Sequence, residues 1–259
     1  MLHGLHAPTQ VAAGRRPPFF PGSPMQDHAT TATAPPDPAA AGSVLAPAYR
    51  ATTIGMVALV SLIAFEALAV AAAMPTVARE LDGLRLYALA FGGTLATSVI
   101  GMTVAGRWSD LHGPATPLWT GLACFVCGLL LAGFAPSMGF LLAGRLVQGL
   151  GAGAISVVLY VLVARLYPQA IRPRMFAAFS AGWVVPSLIG PSISGLIVEH
   201  VGWRWVFLAV PLLALPAAAL LWPALRRLPP AASADGASGA ARRAWTAAIS
   251  TAPATTTTT

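Results

Sequence analysis

Residues 52–74, TTIGMVALVSLIAFEALAVAAAM, form an apolar run that carries a single charge. A helix rises 1.5 Å per residue, so about 20 mostly apolar residues cross the roughly 30 Å hydrocarbon core of a membrane. Because that core offers no water to backbone amides, such a run must be helical. Similar runs occupy residues 87–108, 117–135, 138–163, 175–198 and 205–225. The sequence therefore predicts an all-α membrane protein of six transmembrane helices.

The composition agrees with a membrane protein. Of the 259 residues, 56% are hydrophobic and 9% are charged, and the mean hydropathy is +0.72. Soluble domains carry about 25% charged residues, which disfavours a water-soluble fold. The net charge of +7 does not indicate a nucleic-acid partner, because the arginines lie in the gaps between apolar runs.

Nothing in the sequence suggests catalysis. It contains no metal-binding cluster, nucleotide-binding loop or nucleophile constellation, so we expect no enzymatic activity, cofactor or metal. Cys124 and Cys127 form a C-x-x-C inside an apolar run, without a second cysteine pair. We interpret both cysteines as packing residues.

Prolines and glycines mark the predicted helix ends. Pro75 is expected to end the first helix, Gly113 and Pro114 to form the turn before the third, and Pro136 to separate the third from the fourth.

The distribution of arginines predicts the orientation. If the N-terminus is cytoplasmic, eleven arginines lie on the cytoplasmic side and three on the far side, and Arg145 lies within a helix. The positive-inside rule then places both termini in the cytoplasm, which requires an even number of membrane crossings. The expected location is the plasma or inner membrane. Sequences rich in Pro, Ala, Ser and Thr predict disordered cytoplasmic tails at residues 1–48 and 228–259, flanking a transmembrane domain at residues 49–227.

Two charged residues lie inside predicted spans, Glu66 in the first helix and Arg145 in the fourth. A charge at mid-bilayer costs at least about 2.5 kcal/mol, so such residues usually face a partner or a water-filled cavity. Both lie at similar depths, about 10 to 14 Å from the outer ends of their helices. Two interpretations stay open: a static ion pair, with Arg145 partly snorkelled, or a carboxylate that exchanges a proton when Arg145 moves or a cationic substrate enters.

Small residues are frequent in the fourth and fifth helices. The fourth contains GRLVQGLGAGA, with glycines at 144, 149, 151 and 153. The fifth contains GWVVPSLIGPSISG, with Pro186 and Pro191. Glycines permit close helix packing, and two prolines in one span favour a bent, moving helix.

These residues resemble the major facilitator superfamily, and specifically its drug:proton antiporter branch. FEALAVAAAMP resembles that branch's first-helix motif, an acidic residue nine positions before a proline, with Glu66 where Asp is usual. GRWSDLHGPA is similar to the superfamily's loop motif between helices two and three, and GWRWVFLAVP is similar to the entry to helix six in drug exporters. The positions that match the loop, helix-four and antiporter motifs are Gly106, Asp110 and Gly113, then Arg145, Gln148 and Gly149, then Gly190, Pro191 and Gly195.

The resemblance implies the N-terminal six-helix half of that fold, built from two inverted three-helix repeats. It further implies proton coupling through Glu66 and Arg145, gating through the loop motif, and antiport through the Gly-Pro helix. The implied function is proton-coupled export of small hydrophobic or cationic compounds, of the multidrug efflux type. The expected partners are the lipid bilayer, protons and a small lipophilic substrate.

The sequence departs from the family pattern in the loop, in helix five and in length. In the loop motif, Leu111, Pro114 and Ala115 stand where basic residues are expected. Asp110 is retained, and Arg107 and His112 are possible substitutes for the missing basic residues. In the helix-five motif, Ser194 replaces one glycine. A family transporter has two six-helix halves, and the sequence matches one. The alternatives are a truncated, non-transporting membrane protein, which the five terminal threonines weakly favour, or a half that works with a second six-helix half or a second copy of the chain.

Overall fold

The computed structural model describes residues 43–226 and residue 228, so the predicted tails at 1–48 and 228–259 lie almost entirely outside the described residues. Within that part the chain is helical. The helices are α1 (Arg50–Glu80), α2 (Tyr87–His112), α3 (Ala115–Gly133), α4 (Met138–Leu166), α5 (Arg172–His200), α6 (Arg204–Ala219) and α7 (Trp222–Arg226), with a 3-10 turn at Leu84–Leu86 before α2.

The predicted all-α architecture is confirmed. Among the described residues, five helical segments are long and apolar enough to cross a membrane, and the sixth apolar helix, α6, is shorter. Its 16 residues span about 24 Å, less than the hydrocarbon thickness. The predicted run 205–225 is therefore wrong as one continuous helix: it is interrupted at residues 220–221, where Leu221 N–H donates to Ala218 O at 2.9 Å before α7 begins.

Pro75 was expected to end the first helix, and that expectation is wrong. Helix α1 continues through Pro75 to Glu80. Proline removes one backbone hydrogen bond, but packing compensates for this loss in transmembrane helices. Val77 and Ala78, in the turn after Pro75, are fully buried, so the apolar face continues across the proline.

The helices pack in a pattern with internal symmetry. Helix α4 packs mainly on α2 and α3, helix α1 packs mainly on α5 and α6, and α3 contacts α6. The same set of contacts results when α1 is exchanged with α4, α2 with α5 and α3 with α6. Since each helix and its equivalent are separated by three crossings, they run in opposite directions. The bundle is thus two inverted three-helix repeats, as predicted.

Candidate functional site

The structure brings Glu66 and Arg145 together. Glu66 lies on α1 and Arg145 on α4, and the Nη1 of Arg145 donates to the Oε1 of Glu66. Both residues are buried, with exposures of 3% and 4%. Direct contact between α1 and α4 is otherwise sparse. The ion pair therefore joins the α1–α5–α6 group of helices to the α2–α3–α4 group at the centre of the bundle.

Gln148 completes the polar centre. The same Nη1 of Arg145 donates to the Oε1 of Gln148 at 2.6 Å, and Gln148 is 1% exposed. The two residues are three apart on α4 and hence neighbours on its surface. The Nε of Arg145 is buried and has no hydrogen-bond partner within the described residues. The Nε–H of Arg145 is thus available to a water molecule or another acceptor.

Gly149 belongs to the same motif but acts through packing. A Cβ atom placed on Gly149 would lie 2.5 Å from the carbonyl oxygen of Thr94 on α2. Gly144, one position before Arg145, is similarly confined, since a Cβ there would lie 2.7 Å from the backbone nitrogen of Ala132 on α3. These glycines let α4 approach both neighbouring helices and so fix the position of Arg145.

Replacing Gly149 with alanine is therefore expected to destabilise the bundle by about 1 to 3 kcal/mol, because the added methyl group overlaps the backbone of α2. Gly195→Ala is the matched control, since no atom of another helix among the described residues lies within 4 Å of a Cβ at that position. Thermal unfolding in detergent measures both. Equal unfolding midpoints for the two variants would contradict this account of Gly149.

Helix α5 packs on α1 through residues spaced four apart. Gly182, Pro186, Gly190 and Ser194 are all buried. The Oγ of Ser194 donates to Ala69 O on α1 at 2.7 Å, one turn from Glu66. Ser194, which departs from the family motif, thus makes a specific contact between α5 and α1 beside the ion pair.

Of the three predicted antiporter-motif residues, only Gly190 lies on this face. A Cβ on Gly190 would lie 3.6 Å from Cβ of Leu68 and 3.7 Å from Cδ2 of Phe65. These two residues lie on either side of Glu66 in the sequence of α1. Pro191 is exposed, and Gly195 is half-buried beside open space. The structure therefore brings only Gly190 into the neighbourhood of Glu66.

The predicted gating loop lies far along α2 from the ion pair, at its C-terminal end. Gly113 has φ of 85°, a conformation that favours glycine, and it ends α2. A Cβ atom placed on Gly106 would make an ordinary van der Waals contact with Val157, at 3.6 Å, so packing does not require glycine at this position. Asp110 is exposed, and no ion pair joins it to Arg107 or His112 in the described part of the chain. The residues suggested as substitutes for the missing basic positions therefore do not pair with Asp110 in this conformation.

A cavity of about 200 Å³ lies between α1, α2, α4 and α5. We call it the central cavity; its lining residues are Val60, Ile63, Met102, Ser156, Tyr160 and Trp183. Ile63 lies one turn before Glu66 on α1. The ring of Tyr160 stacks on Phe176 with centroids 5.8 Å apart. The cavity thus combines apolar and aromatic walls with hydroxyl groups, and its Ile63 wall lies one turn of α1 from the buried carboxylate.

Sequence reasoning missed these lining residues. Tyr160 and Trp183 are half exposed, at 54% and 48%, although both lie inside apolar helices. Large aromatic residues with polar atoms in otherwise aliphatic runs were the available signal.

The entry to α6 ties together three helices at the opposite end of the bundle from the α2–α3 turn. The Nε1 of Trp203 donates to the Oε2 of Glu80 at the end of α1, at 2.7 Å. Arg204 lies over the Trp203 ring, 4.5 Å from its centroid, and donates to Ala135 O after α3. The GWRWVFLAVP stretch therefore has a structural role in this conformation.

Comparison with known proteins agrees with this architecture. The family model of the Major Facilitator Superfamily matches residues 54–257. The chain is 38% identical over 140 residues to the MFS efflux transporter aclA of Aspergillus oryzae, covering 54% of this chain and 25% of the relative. It is 30% identical over 138 residues to Multidrug resistance protein 3 of Bacillus subtilis, covering 53% of this chain and 27% of the relative.

Among solved structures, the D-xylose-proton symporter has a TM-score of 0.61 at 16% identity, covering 77% of this chain and 52% of that protein. This likeness concerns the fold. The chain spans about a quarter of the length of the curated relatives it matches. The family resemblance found in the sequence, with a six-helix half of that fold, is confirmed.

Proposed function

Because the chain belongs to the Major Facilitator Superfamily, we propose that it takes part in proton-coupled export of small hydrophobic or cationic compounds. Transport is the family's function; the coupling ion and the substrate class are our proposal. The observation that carries it is the buried Glu66–Arg145 pair close to an apolar, aromatic-lined cavity. Names of relatives, an efflux transporter and a multidrug resistance protein, point in the same direction.

In the proposed mechanism Glu66 carries the proton. With Arg145 paired to it, as in this structure, the guanidinium supplies the opposite charge to the carboxylate. When Arg145 moves away from Glu66, or when a cation that has taken its place leaves the cavity, Glu66 loses its opposite charge while buried, and a proton then replaces that charge. Proton and cationic substrate would therefore occupy the site alternately, which is the requirement for antiport.

The central cavity supplies the proposed substrate wall. Its apolar and aromatic side chains bury a lipophilic body without strict shape selection, and Tyr160 and Trp183 supply aromatic rings, which attract cations. A six-helix half provides one wall only. We propose that the opposite wall is contributed by a second six-helix half or a second copy of this chain.

The chain is a multi-pass membrane protein, and we propose that it resides in the plasma or inner membrane with both termini in the cytoplasm. The excess of arginines at the end of the bundle that carries the α2–α3 turn supports this orientation. A reporter enzyme that is active only outside the cytoplasm should be inactive when fused to either terminus.

The full chain reconstituted in proteoliposomes tests the function. Tetraphenylphosphonium serves as the lipophilic cation, and an imposed pH gradient is expected to drive its movement against the proton flow. Binding of the same cation in detergent should strengthen as the pH rises, because a deprotonated Glu66 attracts it. Absence of both flux and binding would contradict the proposal, whereas binding without flux would indicate that the second wall is required.

A further inference from the structure

Two surface cavities meet on α3, away from the central cavity. The first, which we call the α3 crevice, has a volume of about 130 Å³ and lies between α2, α3 and α4. Its lining includes Val104 and Trp108 of α2, Gly121 and Cys124 of α3, and Leu150 of α4. A Cβ placed on Gly121 would lie 2.9 Å from Cβ of Ala154, so a larger residue there would narrow the crevice.

The second cavity, which we call the interfacial cavity, has a volume of about 390 Å³ and lies between the start of α3 and α7. Its lining includes Thr116, Trp119, Trp222 and Arg226. The two indole rings meet edge to face, with centroids 5.4 Å apart. The guanidinium of Arg226 lies 4.6 Å from the centroid of the Trp222 ring. Tryptophan and arginine together are typical of the level of the lipid headgroups.

Thr120 lines both cavities, so they lie next to each other along α3, and a path through both follows that helix. Thr116, Thr120 and Cys124 are spaced four apart and follow one line on the helix surface. Eight residues of helix rise about 12 Å, which is most of the roughly 15 Å depth of one hydrocarbon leaflet. The path therefore runs from the headgroup level to near the middle of the bilayer, the course of an acyl chain.

The charge around this path favours an anionic headgroup. Within the described part of the chain, no acidic side chain lines either cavity. At this end of the bundle the described residues include six arginines (Arg50, Arg107, Arg165, Arg172, Arg174 and Arg226) and one acidic residue, Asp110 on α2. Asp110 lines neither cavity, while Arg226 lines the interfacial cavity directly. Arginines at the membrane surface attract the phosphate groups of anionic lipids, so this position favours a negatively charged headgroup.

We propose that the α3 crevice and the interfacial cavity together bind one anionic glycerophospholipid of the surrounding leaflet. An acyl chain fills the α3 crevice past Thr120 to Cys124, and the phosphate lies against Arg226 between the two tryptophans. This site is separate from the ion pair and from the central cavity, and it requires only that the chain spans a membrane.

Native mass spectrometry of the purified full chain tests the site with two lipids, phosphatidylglycerol and phosphatidylcholine. The wild type should bind phosphatidylglycerol more tightly than phosphatidylcholine. Arg226→Gln should weaken phosphatidylglycerol binding about fivefold and phosphatidylcholine binding less, because the choline cation already offsets the phosphate charge in phosphatidylcholine. Arg50→Gln, which removes an exposed arginine at the same end that lines neither cavity, is the matched control.

A second test enlarges a side chain that lines the α3 crevice, so that the acyl chain no longer fits. Cys124→Leu fills the α3 crevice and should weaken both lipids, whereas Cys127→Leu, on the exposed surface one turn away, should weaken neither. A phosphatidylglycerol with a photoreactive acyl chain should crosslink the wild type at the crevice walls in α2, α3 and α4, and this test needs no variant to fold. Crosslinks mainly on α1, α5 or α6, or equal effects of each variant and its control, would overturn the proposal.

Discussion

Proton-driven movement of tetraphenylphosphonium is expected to fall to the background rate when Glu66 is replaced by glutamine. The amide oxygen of the substituted side chain still accepts a hydrogen bond from Nη1 of Arg145, so the contact between α1 and α4 persists. The amide does not exchange a proton, however, and it does not attract a cation. Reconstituted vesicles with an imposed pH gradient measure the loss, and binding of the cation in detergent should become weaker and independent of pH.

The matched control for this experiment is Glu199→Gln. Glu199 is an exposed carboxylate near the end of α5, away from the polar centre. Its removal changes the total charge as Glu66→Gln does and should leave transport unchanged. Transport by Glu66→Gln at the wild-type rate against a gradient would exclude Glu66 as the proton carrier, while loss in both variants would point to a general effect of charge.

The sequence was sufficient to predict the helical bundle because each apolar run has the length of one membrane crossing. It misplaced helix ends where packing outweighs local preference. Pro75 is a helix breaker in water, but the buried residues that follow it keep α1 helical. Helix α6 ends at Ala219, in the middle of a continuous apolar run, so hydropathy did not indicate this helix end.

Part of the candidate site was also accessible from the sequence. Matching depths and opposite charges placed Glu66 and Arg145 within reach of each other, and the structure joins them. The contact from Ser194 to α1 depends on the rotation of α5 about its axis, which composition does not encode. The same holds for the central cavity, since it is formed by side chains from four helices whose relative positions only packing determines.

Arg145→Ala is expected to destabilise the protein by about 3 to 5 kcal/mol, because it leaves the Glu66 carboxylate buried without an opposite charge. In thermal unfolding this corresponds to a fall of about 10 °C in the midpoint. Arg50→Ala, which removes an exposed arginine, should change the midpoint little. Transport by the Arg145 variant should also change its pH dependence, since the partner that exchanges with the proton at Glu66 in the proposed mechanism is gone.

The double variant Glu66→Gln with Arg145→Ala separates the ion pair from simple packing. If the cost of Arg145→Ala arises from an unpaired buried carboxylate, neutralising Glu66 should recover most of the lost stability. The recovery should not extend to proton-driven transport, which needs the carboxylate itself. Additive losses of stability in the double variant would show that Arg145 contributes through packing alone, and an unchanged pH dependence in Arg145→Ala would remove it from the coupling mechanism.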